Sequence, residues 1–285
     1  MSPYLWLSPV SHEVLEAILQ VHCKNPGKIA MMCSCSHVSD APYTGITYDT
    51  FARARAAYAP IEVERDHLGK NGENIREWVW RDYAEGFTGA MLHVFDPKDA
   101  LPVMEEYGSK MVWNVGPGED ESRPIDPALW DKTAGLATWF SFPMGPLING
   151  MGNTGRFNIE PIQKSWSAHP DVYIRAHNCD YLTDSLLCML AQHADGINIA
   201  PQLGCLQSLW YLNYAATHGL PIDCWAEECM GDTKNQERWV KRAWEIVPLC
   251  GHYHYASIPW RGKAWNECVA YLISAITRML KVLGC

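Results

Sequence analysis

Short apolar runs alternate along the chain with segments whose apolar residues recur every three or four positions, the periodicity of a helix. The first such segment, residues 11–22, opens on a candidate capping residue, Ser11, and places Val14 and Ile18 on one face. Further helix-like segments lie at residues 47–59, 73–86 and 99–108. The predicted strands cover residues 4–7, 28–34, 60–66, 89–95, 110–116, 136–143, 171–177 and 196–200.

This order of eight strands, each followed by a helix, predicts an α/β fold whose parallel sheet closes into a (β/α)8 TIM barrel. We assign residues 1–220 to the barrel and residues 221–285 to a C-terminal helical extension packed on it, within one domain overall. The extension contains two helix-like runs, at 235–247 and 266–283. The alternative, an open doubly wound sheet, would show a glycine-rich turn after its first strand, but residues 8–13 read SPVSHE.

Composition narrows the range of possible functions. The formal net charge is -9, from 23 basic and 32 acidic residues, and no basic cluster is present, which argues against a nucleic-acid partner. No apolar run approaches the roughly 18 residues of a membrane span. The first residues lack the pattern of an export signal, so we expect a cytoplasmic protein whose eleven cysteines are buried thiols.

Ionisable and amide side chains concentrate where the predicted strands end, and that end of such a barrel carries active sites. The imidazoles of His67 and His177, with the carboxylate of Asp66 beside one of them, suit a divalent metal, and the acid could then carry a proton. Each histidine taken alone is better explained as an ordinary hydrogen-bonded residue at the barrel rim, whereas Asp66, His67 and His177 together favour a site. The strand-end residues that we assign to the candidate site are Asp66, His67, His93, Asp96, His177, Asn178, Asp180 and Asn198.

Several segments resemble the accessory (non-catalytic) subunit family of class II D-tagatose-1,6-bisphosphate aldolase, and their order and spacing carry the resemblance over residues 7–204. The segments are LSPVSHEVLEAIL at 7–19, PYTGITYDTF at 42–51, RDHLGKN at 65–71, AHNCDYLT at 176–183 and NIAPQLG at 198–204.

The resemblance implies a protein of carbohydrate metabolism, because that family is related to the class II, zinc-dependent ketose-bisphosphate aldolases. By position, Asp66 matches the aldolase residue that handles the proton, while His67 and His177 match two zinc ligands. The implied activity is cleavage or epimerisation of a ketose or ketose phosphate through a metal-stabilised enediolate. The chain would then be a carbon–carbon lyase or, as the second choice, a sugar epimerase. The expected substrate contacts are His93, Asp96, Asn178, Asp180 and Asn198.

The chain departs from the aldolase pattern at two functional positions. The remaining zinc histidine would follow the sixth strand, where residues 140–145 read FSFPMG. The glycine-serine phosphate loop is replaced by HNCDYL at 177–182, which lacks a bare backbone cradle for a phosphate. These departures favour the alternative, a non-catalytic accessory subunit that stabilises a catalytic tagatose-bisphosphate aldolase partner without a metal.

The expected partners are a small-molecule sugar or sugar phosphate, and either a catalytic aldolase subunit or further copies of this chain. His252 and His254 form a weaker candidate metal pair, which is better explained as two polar rim residues. Basic side chains that could bind an anion, each equally explained as a solvated surface charge, are Arg65, Lys70, Arg156, Arg175, Arg261 and Lys263.

Overall fold

The computed structural model describes residues 3–69, 74–116, 128–144, 148–149, 152–153, 157–223, 225, 227 and 255–284. Eight parallel strands close into a barrel in the order β1-β8-β7-β6-β5-β4-β3-β2, which confirms the predicted (β/α)8 fold. The strands are β1 (Tyr4–Leu7), β2 (Ile29–Ser34), β3 (Val63–Leu68), β4 (Gly89–His93), β5 (Val112–Gly116), β6 (Trp139–Pro143), β7 (Tyr173–His177) and β8 (Gly196–Ile199).

The helices lie outside the barrel between successive strands, and the last one ends the described chain. Ser11 caps α1 as predicted, since its hydroxyl accepts a 3.1 Å hydrogen bond from the Val14 amide. Thr47 caps α2 in the same way. The α-helices with both ends in the described residues are α1 (His12–Lys24), α2 (Tyr48–Ala56), α3 (Ile75–Ala84), α4 (Pro97–Tyr107), α5 (Ala128–Thr133), α6 (Glu160–Ala168), α7 (Asp184–Leu190), α8 (Pro201–His218) and α9 (Arg261–Val282).

Strand alternation divides the buried apolar residues into two cores. Side chains on the outer face of the barrel, such as Leu5 and Leu7, pack against the helices in the larger core. Side chains on the inner face form a small cluster of Trp6, Ala30, Met32 and Trp139.

Most described cysteines are buried, but the expectation of buried thiols is wrong for two of them, since Cys23 and Cys188 are exposed.

The C-terminal helix α9 confirms the second of the two predicted runs, while the run at 235–247 lies outside the described residues. Arg261, at the start of α9, makes hydrogen bonds of 2.5 and 2.7 Å to the buried carboxylate of Glu13 in α1. The hydroxyl of Tyr211 in α8 donates a third hydrogen bond, of 2.6 Å, to the same carboxylate. Three helices are therefore tied together at one buried charge.

In the described part of the chain no helix is both long and apolar enough to cross a membrane.

Acid should weaken this attachment of α9. Burial opposes ionisation of Glu13, but the bonds from Arg261 and Tyr211 outweigh it and hold the pKa of its carboxyl below the usual 4.5. Because the pKa of Glu13 is lower in the folded state, its carboxylate contributes its full stabilisation at pH values above the unfolded-state pKa. That stabilisation is lost as the pH falls through the folded-state pKa. The Glu13→Gln variant should therefore have a lower free energy of unfolding at neutral pH, and that free energy should decline less steeply between about pH 6 and pH 3. Urea unfolding at a series of pH values provides the measurement.

Glu105 on α4 provides the control, because its carboxylate is exposed and is not part of this buried cluster. Glu105→Gln should follow the wild-type curve. Parallel pH curves for wild type and Glu13→Gln would contradict this assignment.

Candidate functional site

A buried ion pair spans the inside of the barrel. Glu64 on β3 and Arg175 on β7 lie four strands apart in an eight-stranded barrel, so they face each other across it. Two guanidinium nitrogens of Arg175 donate bonds of 2.7 and 2.6 Å to the two carboxylate oxygens of Glu64. The guanidinium also stacks over the ring of Trp6, 3.7 Å from its centroid. Both charges are removed from water, so each depends on the other for compensation.

Two neutral side chains extend this pair into a network. Asn114 on β5 donates a 3.2 Å bond to Glu64 and accepts a 2.9 Å bond from Ser141 on β6. Burial raises the pKa of the Glu64 carboxyl, although the charge and hydrogen bonds of Arg175 oppose the shift. Four strands thus contribute to one polar layer inside the barrel.

The backbone of β3 is irregular just above this layer. The register of β3 against β4 shifts between Arg65 and Leu68, and His67 has a φ of 59° in the left-handed region. A regular strand would direct Asp66 and His67 to opposite faces. Here the His67 Nε2 lies 3.4 Å from the Asp66 Oδ2, so the bulge turns both side chains towards one place. A non-glycine residue in this conformation costs about 1–3 kcal/mol, and such strain concentrates at functional sites.

Glycine is required directly after this bulge. Gly69 has a φ of +93°, and a Cβ there would lie 3.0 Å from the Cδ1 of Ile75 in α3. The DHLG sequence therefore combines the strained histidine with the one residue that lets the chain turn away towards α3.

His177 approaches Asp66 from the opposite side of the barrel. It ends β7, is buried, and places its Nε2 3.6 Å from the Asp66 Oδ1. Its other ring nitrogen lies 3.1 Å from the side-chain oxygen of Asn178. A hydrogen on Nδ1 would donate to that oxygen and leave the Nε2 lone pair directed at the site, which is the arrangement that metal-binding histidines favour.

Asp66, His67 and His177 together form a cluster suited to a metal. Their donor atoms all lie within 4.8 Å of one another. Within the described residues, the Nε2 of His177 has no hydrogen-bond partner although it is buried. Two imidazoles and a carboxylate are a donor set that zinc takes at catalytic sites, where a fourth position stays open. The residues present therefore fit a zinc ion.

His93 contacts the cluster through His67. Its Nδ1 lies 3.2 Å from the Nδ1 of His67, and the ring centroids are 5.4 Å apart. This hydrogen bond occupies the ring nitrogen of His67 that faces away from Asp66, so the Nε2 of His67 remains directed at the cluster. The geometry indicates that His93 orients His67, in the manner of the outer groups that support metal ligands.

The remaining predicted contacts occupy different places. Asn198 faces the barrel interior, in register with Trp6, and both polar atoms of its buried amide have no hydrogen-bond partner among the described residues. Asp180 is buried and accepts hydrogen bonds from the start of α8. Asp96 caps α4, where its carboxylate accepts a bond from the Lys98 amide and pairs with the Lys98 ammonium at 2.8 Å. That lysine lowers the pKa of Asp96.

Three of the arginines considered as anion ligands are already paired with carboxylates. Arg175 binds Glu64, and Arg261 binds Glu13. Arg65 is buried on the outer face of β3, where it binds Asp82 at 2.6 Å. The interpretation of these residues as solvated surface charges is therefore wrong for Arg65 and Arg175, which are fully buried. Lys70, Arg156, His252 and His254 lie outside the described residues.

The place of the missing third histidine lies beside His177. Pro143, at the end of β6, is in register with His177, and the next residue, Met144, donates its amide to the His177 carbonyl. Neither residue has a nitrogen or oxygen donor in its side chain. This edge of the candidate site is therefore closed by apolar groups.

The sequence did not identify Glu64 and Arg175 as partners. The available signal was a charged residue two positions before Asp66 and another two positions before His177, on the inward-facing rows of the two strands. Such paired positions on separate strands become neighbours only when the barrel closes.

Comparison with known proteins gave matches to solved structures only; no family model and no curated protein matched. A probable tagatose 6 phosphate kinase from Sinorhizobium meliloti 1021 has a TM-score of 0.65 at 17% identity, with 95% of this chain and 87% of that chain covered. The YdjI aldolase from Escherichia coli K12 has a TM-score of 0.60 at 12% identity, with 99% and 92% covered.

The fructose-bisphosphate aldolase from Campylobacter jejuni has a TM-score of 0.60 at 11% identity, with 99% of this chain and 90% of that chain covered. At these identities the similarity establishes the fold alone. The chain therefore shares its barrel architecture with aldolases of carbohydrate metabolism.

Removing the charge of Glu64 should affect both stability and the site above it. Glu64→Gln leaves Arg175 buried without its counter-charge, which should cost about 3–5 kcal/mol in urea unfolding. Because Asp66 and His177 follow Glu64 and Arg175 on the same strands, zinc affinity should fall as well, measured by competition with a chelating dye.

Asp82→Asn is the matched control, because it breaks a second fully buried carboxylate–arginine pair, outside the barrel. It should reduce stability similarly and leave zinc affinity near that of the wild type. Equal loss of zinc affinity in both variants would show that stability alone, and not the position of the Glu64–Arg175 pair, controls the site.

Proposed function

We propose that this chain is a class II aldolase-like enzyme of carbohydrate metabolism that cleaves or epimerises a ketose or a ketose phosphate. The observation that carries the proposal is the position of Asp66, whose two oxygens lie 3.4 and 3.6 Å from the Nε2 atoms of His67 and His177. The barrel shared with aldolases supports it.

In this proposal, His67 and His177, whose Nε2 atoms lie beside Asp66, would hold a divalent metal ion, zinc. The ion would polarise the substrate carbonyl and stabilise negative charge that develops on it. His93 fixes the orientation of the His67 ring, and Asn178 that of the His177 ring. A bulge and a left-handed turn hold these ligands, so little reorganisation is needed on binding.

Asp66 is the proposed acid–base residue. In cleavage, its carboxylate accepts the proton of a substrate hydroxyl while the adjacent carbon–carbon bond breaks and the electron pair moves towards the carbonyl. In epimerisation, it removes a proton from carbon. Both reactions need a base beside the polarised carbonyl, and Asp66 is 4% exposed, where little water competes for the proton. The buried amide of Asn198 can contact a substrate hydroxyl or carbonyl.

The second candidate function is a non-catalytic accessory subunit that stabilises a catalytic aldolase partner. The apolar pair Pro143 and Met144 favours it, because the sixth-strand histidine of the catalytic aldolases has no counterpart there. A subunit of this kind needs no metal, so metal binding discriminates between the two functions.

The isolated protein should contain about one zinc or similar ion per chain, because the Nε2 atoms of His67 and His177 converge beside the carboxylate of Asp66. His67→Ala should lose that ion, whereas His218→Ala, at an exposed histidine near the end of α8, should keep it. Elemental analysis of the three proteins, purified without a partner, provides the measurement. Metal-free wild type that still stabilises an aldolase partner would support the accessory function instead.

Asp66→Asn should lower turnover of the accepted ketose by about 10²–10⁴-fold, the usual contribution of a general acid or base. Asp131→Asn, at an exposed carboxylate on α5, is the control and should retain wild-type turnover. A screen of ketoses and ketose phosphates for cleavage and epimerisation identifies the substrate first. Undiminished activity of Asp66→Asn would rule out the assigned role.

A further inference from the structure

The first backbone amides of α8 are bonded to a carboxylate of the protein itself. The Oδ1 of Asp180 accepts hydrogen bonds of 3.0 Å from the Ala200 amide and 2.8 Å from the Gln202 amide. Pro201 between them has no N–H, so both amides in this stretch are used. Asp180 is 1% exposed, which makes this a permanent part of the fold.

The loop that carries Asp180 is fastened to β8 and α8 on both sides of this contact. The Cys179 amide donates to the Asn198 carbonyl, and the Tyr181 amide donates a 3.0 Å bond to the Gln202 side chain. Asn178 and Tyr181 both have left-handed backbone conformations, with φ of 58° and 59°. Such conformations persist when the surrounding structure enforces them, so the carboxylate is held against the helix.

This arrangement uses backbone donors that could otherwise bind an anion. Free amides at the start of a long helix are well suited to a phosphate, because the N–H groups point at it and the helix dipole attracts negative charge. At α8 the Asp180 carboxylate uses these donors, and a second anion beside a buried carboxylate would be repelled. In the described part of the chain, Arg65, Arg175 and Arg261 are likewise engaged with carboxylates.

Two positions before Ala200, Asn198 offers different chemistry. It is 1% exposed and faces the barrel interior, and its amide nitrogen and oxygen have no hydrogen-bond partner among the described residues. One donor and one acceptor at the same point match a hydroxyl group, which both donates and accepts a hydrogen bond. Asn198, the inward-facing polar side chain of β8 that lies nearest the start of α8, is therefore suited to a neutral ligand.

We infer that Asp180 is a specificity-determining residue and that the substrate is a ketose whose end nearest α8 carries a hydroxyl instead of a phosphate. The reaction assigned to this substrate rests on the proposed function, whereas the exclusion of phosphate by Asp180 does not. Asp180 acts through the amides it occupies, so it is a positioning residue in the substrate site.

Isothermal titration of inorganic phosphate into wild type, Asp180→Gly and Asp180→Asn tests the exclusion directly. Asp180→Gly exposes the amides and should bind phosphate at least about tenfold more tightly than the wild type. Asp180→Asn keeps an oxygen that can accept both bonds but loses the negative charge, so its phosphate affinity should rise much less than that of Asp180→Gly. A folded Asp180→Gly protein with no gain in phosphate affinity would overturn the inference.

Wild-type turnover provides the second arm, which stands even if Asp180→Gly does not fold. Each ketose in a panel is compared with its two terminal monophosphates, and kcat/KM should favour the ketose over at least one of the two by at least about tenfold, because one end of the substrate lies at α8. Turnover of both monophosphates as efficient as that of the ketose would contradict the inference. A protein without metal and without turnover of any ketose would refute the proposed function, while the phosphate titration would still decide the role of Asp180.

Discussion

The buried ion pair between Glu64 and Arg175 is the constraint on which the candidate site depends. Moving two charges out of water into the barrel is unfavourable unless each is fully compensated, and here the guanidinium is bidentate and stacked on Trp6. The pair joins strands on opposite sides of the barrel, so it fixes their relative height. Asp66 and His177 follow on those two strands and therefore meet above it.

The site adds local strain to this rigid base. His67 contributes to the cluster only because β3 bulges and its backbone is left-handed, and Gly69 lets the chain leave afterwards. β3 can accommodate this strain of about 1–3 kcal/mol, because Glu64 anchors the strand below the bulge and both neighbouring strands are hydrogen-bonded to it. On the far side of the mouth, Asp180 makes the loop after β7 equally fixed. Rigid strands and fastened loops are what preorganised catalysis requires.

Much of the fold could be predicted from the sequence, because alternating strand and helix patterns are local and eight repeats close a barrel. The grouping of Asp66, His67 and His177 followed from their positions at strand ends, and the structure brings them together; their chemical roles stay predictions. The Glu64–Arg175 pair could not be found in this way, since nothing local relates residues 111 positions apart. Asp96 was expected to contact substrate, and the helix after it was expected to begin at residue 99; the structure instead has α4 begin at Pro97, with Asp96 as its cap.

The central claim is that His67 and His177 bind one metal ion at the mouth of the barrel. X-ray absorption at the zinc edge, on protein loaded with one equivalent of zinc, tests it most directly. We expect nitrogen and oxygen neighbours of the zinc at about 2.0–2.2 Å, with the outer-shell scattering of two imidazole rings. A sulfur shell at about 2.3 Å, or a spectrum without imidazole scattering, would contradict it.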